Sequence, residues 1–144
     1  MEPITIEQYT AAIQKLLTMS LEHGGSGARA CAQVLLSAYN GSEWQLDVTD
    51  LCALDQNFYP AAITVIRGRV ELREEPQELV DDGNNLFKEL WKQWDRFHVA
   101  NRHLLECYRC AGRGYTYETE EDFDLGKKTP CLKCKGKGLV PRDQ

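Results

Sequence analysis

Cys107-Tyr108-Arg109-Cys110-Ala111-Gly112-Arg113-Gly114 and Cys131-Leu132-Lys133-Cys134-Lys135-Gly136-Lys137-Gly138 both spell C-x-x-C-x-G-x-G, with twenty residues between the two cysteine pairs. Two C-x-x-C pairs at such a distance can wrap one zinc ion in a closed tetrahedron of four thiolates, with Cys107, Cys110, Cys131 and Cys134 as ligands. Two intervening residues let one tight turn aim both sulfurs at one metal. The chain must then reverse, and Gly112 and Gly136 can take the positive φ that a reversal needs. Gly114 and Gly138 let the backbone leave each knuckle without a side-chain clash. The segment between the knuckles has strand composition at residues 115–119, a polar loop at 120–126 and a return through 127–130. The expectation is a zinc-bound β-hairpin over residues 106–140, followed by a frayed tail at 141–144.

The doubled motif resembles the cysteine-rich zinc region of DnaJ-type chaperones, which is built from the same repeat. Four repeats hold two zinc sites in that family; two repeats here imply one. The likeness spans residues 107–138 and carries over the four cysteines as ligands. It also implies contacts with client or partner proteins, as in the family's own zinc region. No His-Pro-Asp tripeptide occurs in the chain, so Hsp70-stimulating activity is not implied. Residues 1–105 resemble small proteins of phages and plasmids. That likeness implies a host complex as partner, in the manner of anti-CRISPR proteins.

The chain has 144 residues, 42% of them hydrophobic, enough for a packed core and unlike a disordered segment. The first eight residues show neither a basic region nor a long apolar run, so a secretory leader is not expected. No membrane span is expected either. A reducing cytoplasm follows, where C-x-x-C pairs hold metal more often than they form disulfides. Residues 1–106 carry 9 basic against 16 acidic side chains, and residues 107–144 carry 8 against 6. Four thiolates on one dication would cancel the basic excess of the tail. General affinity for nucleic acid is disfavoured by this balance, because it depends on cations meeting phosphates.

Residues 1–105 read as a bundle of about four helices, making the chain mainly α. Thr5 and Gln8 form a capping box for a helix ending near Glu22, with Ile6, Tyr9, Ile13, Leu16, Leu17 and Leu21 on one face. A second helix spans about 28–39, with Cys31, Val34, Leu35 and Ala38 inward. Residues 44–48 alternate as a short extended segment, and Asp47 or Thr49 suits the cap of one helical turn. Residues 60–72 admit a helix, with Ala62, Ile63, Ile66 and Val70 as its stripe, or a hairpin about Arg67 and Gly68. The helix is favoured because Arg67 and Glu71 fall four apart. A long helix then carries Leu86, Phe87, Leu90, Trp91, Trp94 and Phe97 and reaches about Leu105.

The residue types favour a structural zinc. Four thiolates leave no open position, and the nearest histidine, His103, precedes the motif. Redox chemistry lacks the strand–helix setting of a dithiol motif. Cys31 and Cys52 lie among apolar neighbours and read as buried small hydrophobes. The aromatic stripe reads as core or as a docking patch using Trp91 and Trp94. Arg109, Arg113, Lys133, Lys135 and Lys137, interleaved with Tyr108, Tyr115 and Tyr117, suit a partner surface. They would also suit single-stranded nucleic acid, the second reading. No Walker loop, dinucleotide fingerprint or nucleophile elbow is present. The resulting expectation is a non-enzymatic, zinc-stabilised protein that binds a protein partner.

Overall fold

The computed structural model describes residues 1–142. The chain is mainly helical, with a small stranded region near its C-terminus that carries the four cysteines. It forms two compact units, Met1–Asp95 and Arg96–Gln144. The division thus falls ahead of the 105/106 boundary drawn from the sequence. Among the described residues no helix is long and apolar enough to cross a membrane.

Helix α1 (Ile6–Glu22) starts at the capping box: Gln8 N–H donates to Thr5 Oγ1 at 3.1 Å, and Thr5 N–H donates to Gln8 Oε1 at 2.9 Å. Tyr9, Ile13, Leu16 and Leu17 form its buried face, while Ile6 is exposed. Helix α2 (Ser26–Tyr39) is buried on nearly every side, from Ala28 through Leu36. Helices α1, α3 (Tyr59–Arg67) and α4 (Gly83–Trp94) pack against it, so it is the centre of this unit. Its one buried amide, Gln33, is held at both ends. Nε2 donates to Asp50 Oδ2, and Oε1 accepts the Asp47 N–H at 3.1 Å. Burying an unpaired amide would cost about 1–3 kcal/mol. These bonds fix the 3-10 turn Val48–Ala53. No strand forms at 44–48; Trp44 is buried instead. Cys31 is buried as expected, but Cys52 is exposed, because no residue of its short turn faces the core.

Helix α3 (Tyr59–Arg67) has Pro60 in its first turn, which settles residues 60–72 as helical. Its inward face is Ala61, Ala62 and Val65, continued by Gly68, so the expected stripe is rotated and Val70 is exposed. Gly68 sets that rotation. The Tyr9 ring occupies the place of a side chain there, and Tyr9 Oη donates to the Glu74 carbonyl at 2.9 Å. The helix then loosens into a π turn, Gly68–Leu72, with Arg67 paired to Glu71 at 2.7 Å.

Helix α4 (Gly83–Trp94) is shorter than the helix expected to reach 105. The chain continues as 3-10 turns at Asp95–Phe97 and Val99–Asn101. Between them His98 turns extended and its Nδ1 accepts the Ala100 N–H at 3.0 Å, a local bond that displaces the helical one. The knuckle is therefore not a continuation of α4. Phe87, Leu90 and Trp94 are core, and Trp94 Nε1 donates to the Ser20 carbonyl at 3.0 Å. Trp94 thus drops out of the candidate partner surface. Trp91 is half-buried, edge-on to Trp44 and Tyr39 at centroid distances of 5.2 and 6.4 Å.

In the second unit, β1 (Leu104–Glu106) pairs antiparallel with β4 (Leu139–Pro141), and β2 (Tyr115–Thr116) with β3 (Thr129–Pro130). One short ladder nests inside the other. Helix α5 (Glu120–Leu125) stands where a polar loop was expected, capped by Thr119 Oγ1, which accepts the Asp122 N–H at 3.0 Å. The expected frayed tail is paired in part: Pro141 lies opposite Leu104, and Arg142 Nε donates to the His103 carbonyl at 3.1 Å. Residues 143–144 of that tail lie outside the described residues.

Candidate metal centre

Each knuckle is a tight turn closed by backbone bonds that the other knuckle repeats. Gly112 N–H donates to the Cys107 carbonyl and Gly136 N–H to the Cys131 carbonyl, both at 3.1 Å. Arg113 and Lys137 N–H donate to the carbonyls of Cys110 and Cys134, again at 3.1 Å. The knuckles also bond each other. Cys107 N–H donates to the Gly138 carbonyl and Cys131 N–H to the Gly114 carbonyl, each at 2.9 Å. The repeat in the sequence is thus a local twofold in space.

All four glycines have positive φ, from 78° to 83°, and Ala111 and Lys135 share the left-handed region at 52° and 54°. Gly114 and Gly138 are constrained a second time. A Cβ on Gly114 would lie 2.6 Å from the Gly136 carbonyl oxygen, and one on Gly138 would overlap the Gly112 carbonyl. The backbones cross too closely there for any side chain. Gly112 lies under the Arg96–Glu106 ion pair, whose atoms are 3.6 Å apart.

This framework brings all four predicted sulfurs together. Every Sγ of Cys107, Cys110, Cys131 and Cys134 lies within 4.8 Å of the others, and all four residues are buried. Cys107 Sγ is 3.8 Å from Cys131 Sγ, and Cys110 Sγ is 3.7 Å from Cys134 Sγ. A tetrahedron with metal–sulfur bonds of about 2.3 Å has edges of about 3.8 Å. Disulfide-bonded sulfurs would be about 2 Å apart, and all four cysteines are free. The donor set and its spacing therefore fit a single four-coordinate metal ion.

Two sulfurs accept amide hydrogens: Gly114 N–H donates to Cys110 Sγ at 3.2 Å and Gly138 N–H to Cys134 Sγ at 3.1 Å. Such bonds stabilise thiolate charge. Without an ion the thiols differ. Burial pushes Cys110 up to about 11, whereas the backbone N–H of Cys134 draws Cys131 down to about 7. A dication would favour the thiolate form at all four.

The remaining candidates separate. Tyr108 is 80% exposed, with Lys133 Nζ 5.3 Å from its ring centroid. Tyr115 is flanked by Arg113 at 5.4 Å and Lys128 at 4.3 Å, and its ring stands edge-on to Tyr117 at 5.8 Å. Arg109, Lys135 and Lys137 are exposed. Sequence reasoning missed Leu132, 78% exposed, and Phe123 and Leu125 on α5, 63% and 71% exposed. Leu132 had a signal: it occupies the same place in its repeat as Tyr108.

Fold and site define a helical bundle joined in one chain to a four-cysteine unit that could hold a metal ion. Residues 10–95 match a family of unknown function, DUF7673, and the chain belongs to that family. The match ends at Asp95, where the first compact unit also ends. The four-cysteine unit lies outside the matched region. Comparison with curated proteins and with solved structures gives no match.

Proposed function

We propose that the chain is a non-enzymatic binding protein whose metal unit, folded around one structural zinc ion, presents a rigid surface to a protein partner. The observation that carries the reading is the pair Tyr108 and Leu132. They sit at the same position of the two repeats and are 80% and 78% exposed, and neither is needed as a ligand. Large side chains carried on a metal-fixed turn are presented by a backbone that has already lost the freedom binding would otherwise cost. The likeness to the DnaJ-type zinc region, tied to client contacts, supports the same direction. Zinc is favoured because four thiolates in a tetrahedral arrangement are its usual structural set. Tetrahedral S4 also suits iron, which visible absorbance and elemental analysis would separate from colourless zinc. A closed tetrahedron leaves no coordination position for substrate, which supports a binding rather than a catalytic role.

The test compares proteins captured by the wild-type chain with those captured by a Tyr108→Ser/Leu132→Ser double variant, after a nuclease step. Loss of one reproducible partner in the variant supports the reading. Identical partners for both, or capture of nucleic acid alone, overturns it. The nucleic-acid reading draws its support from Arg113 and Lys128 about Tyr115. It requires binding that weakens steeply with salt.

A further inference from the structure

The helical unit carries a second site that the metal unit does not involve. A cavity of about 220 Å³ opens beside the π turn, walled by Val34, Ala38, Leu46, Ile66 and Val70. Pockets for drug-sized ligands run from about 300 Å³ upward, so this one suits a single residue-sized group. Only two polar side chains line it, Ser37 and Arg69. Arg69 Nε donates to the Ala38 carbonyl at 3.0 Å, which anchors the guanidinium next to Ser37. That bond uses one of five donors and leaves the terminal nitrogens for an anion. Ser37 Oγ donates to the Val34 carbonyl at 3.1 Å, so its lone pairs remain to accept a hydrogen.

We propose that this cavity binds the C-terminal aliphatic residue of a partner polypeptide. The apolar wall takes the side chain, Arg69 the terminal carboxylate, and Ser37 Oγ the amide N–H of the same residue. Charge complementarity selects a carboxylate, since a planar guanidinium matches it with paired hydrogen bonds. The serine acceptor selects a peptide over a fatty acid, because a simple carboxylate offers no N–H. The π turn places Arg69 and Val70 at the cavity wall, and such turns recur at functional sites. This site goes beyond the function proposed above and stands or falls without it.

The test titrates the full, metal-loaded chain with N-acetyl-leucine, following backbone amide shifts. The expected result is saturable shifts at Val34, Ala38, Leu46 and Ile66, with a Kd of order 1 mM for so small a probe. N-acetyl-leucinamide, lacking the charge, and 4-methylpentanoate, lacking the N–H, should each bind at least about fivefold more weakly. Val70→Glu puts a like charge at the cavity from an exposed position, and should weaken N-acetyl-leucine by a similar factor without disturbing the fold. Arg69→Gln should abolish the preference for the acid over the amide. Equal binding of acid and amide overturns the carboxylate assignment, and equal binding of 4-methylpentanoate overturns the peptide. Absence of localised shifts at 10 mM probe, roughly ten times the expected Kd, overturns the site.

Discussion

Removing the metal should unfold residues 107–140 while residues 6–94 stay folded. The magnitude follows from what each unit buries. Around the site the buried cluster consists of Cys107, Cys110, Cys131, Cys134 and one further side chain, Val140. Complete burial of a valine contributes about 2 kcal/mol. A structural zinc in a comparable module contributes about 10–16 kcal/mol near neutral pH. The metal term is therefore several times the largest apolar one, and nothing else in the cluster replaces it. The helical unit has its own core in Tyr9, Ile13, Leu16, Val34, Leu35, Phe87 and Trp94, all at most 1% exposed. Amide hydrogen exchange before and after a high-affinity chelator, under reducing conditions, separates the two. The N–H groups of Cys107, Cys131, Gly112 and Gly136 should lose protection together, while those of Val34 and Leu35 keep it. Retained protection at the four knuckle amides in metal-free protein would refute the reasoning.

Gly114→Ala should weaken metal affinity at least about a hundredfold in a competitive chelator titration, whereas Gly126→Ala should cost only the left-handed penalty of about 1–2 kcal/mol. Both glycines have positive φ, but a Cβ on Gly126 meets nothing within 4 Å, while one on Gly114 strikes the Gly136 carbonyl. In the metal-loaded protein an alkylating reagent should modify Cys52 and spare the other five cysteines; mass mapping of a singly labelled chain checks this. Alkaline pH should destabilise the helical unit. Burial raises the Tyr9 hydroxyl and the Cys31 thiol each to about 12, above their unfolded values of 10 and 9. The folded state holds these protons more tightly, so the stabilisation is complete below about pH 9. It declines as pH climbs toward 12. Two units at Tyr9 correspond to about 3 kcal/mol, and denaturant midpoints for Tyr9→Phe should lose that part of the slope.

The parts of the fold legible in sequence are those fixed by nearest neighbours or by a metal. Thr5 and Gln8 announce the start of α1 because a capping box joins residues only three apart. Arg67 and Glu71 point to a helix for the same reason, and the pair forms at 2.7 Å. The four-cysteine cluster was legible because a shared metal site tolerates little variation in spacing. Where tertiary contacts decide, the sequence pattern misleads. The inward face of α3 follows Gly68, and Gly68 is set by the Tyr9 ring, 59 residues earlier. The break between the two turns that follow α4 involves the His98 imidazole bonding the Ala100 amide, a choice that periodicity does not register. Trp91 and Trp94 look alike in the stripe. The buried one, Trp94, bonds the Ser20 carbonyl from α1, a contact that the stripe does not show. Helix α5 does have a sequence signal: Thr119 followed by Glu120, Glu121 and Asp122 places a cap before three acids in the first turn.

The reciprocity of the knuckles explains why the motif occurs twice. In one copy alone, the N–H of its first cysteine and the carbonyl of its last glycine have no partner within the repeat. With two copies, Cys107 donates to Gly138 and Cys131 donates to Gly114, and each repeat completes the other. Two sulfurs likewise supply half a tetrahedron. Backbone pairing and coordination therefore reach completion at the same number, and a pair of repeats is the smallest self-sufficient unit. The eighth position of each repeat, where Gly114 and Gly138 let the backbones cross, must stay free of side chains. The second position, held by Tyr108 and Leu132, neither ligates nor touches the crossing. It is the position at which the repeat can vary its surface without altering its frame, and both copies place a large apolar group there.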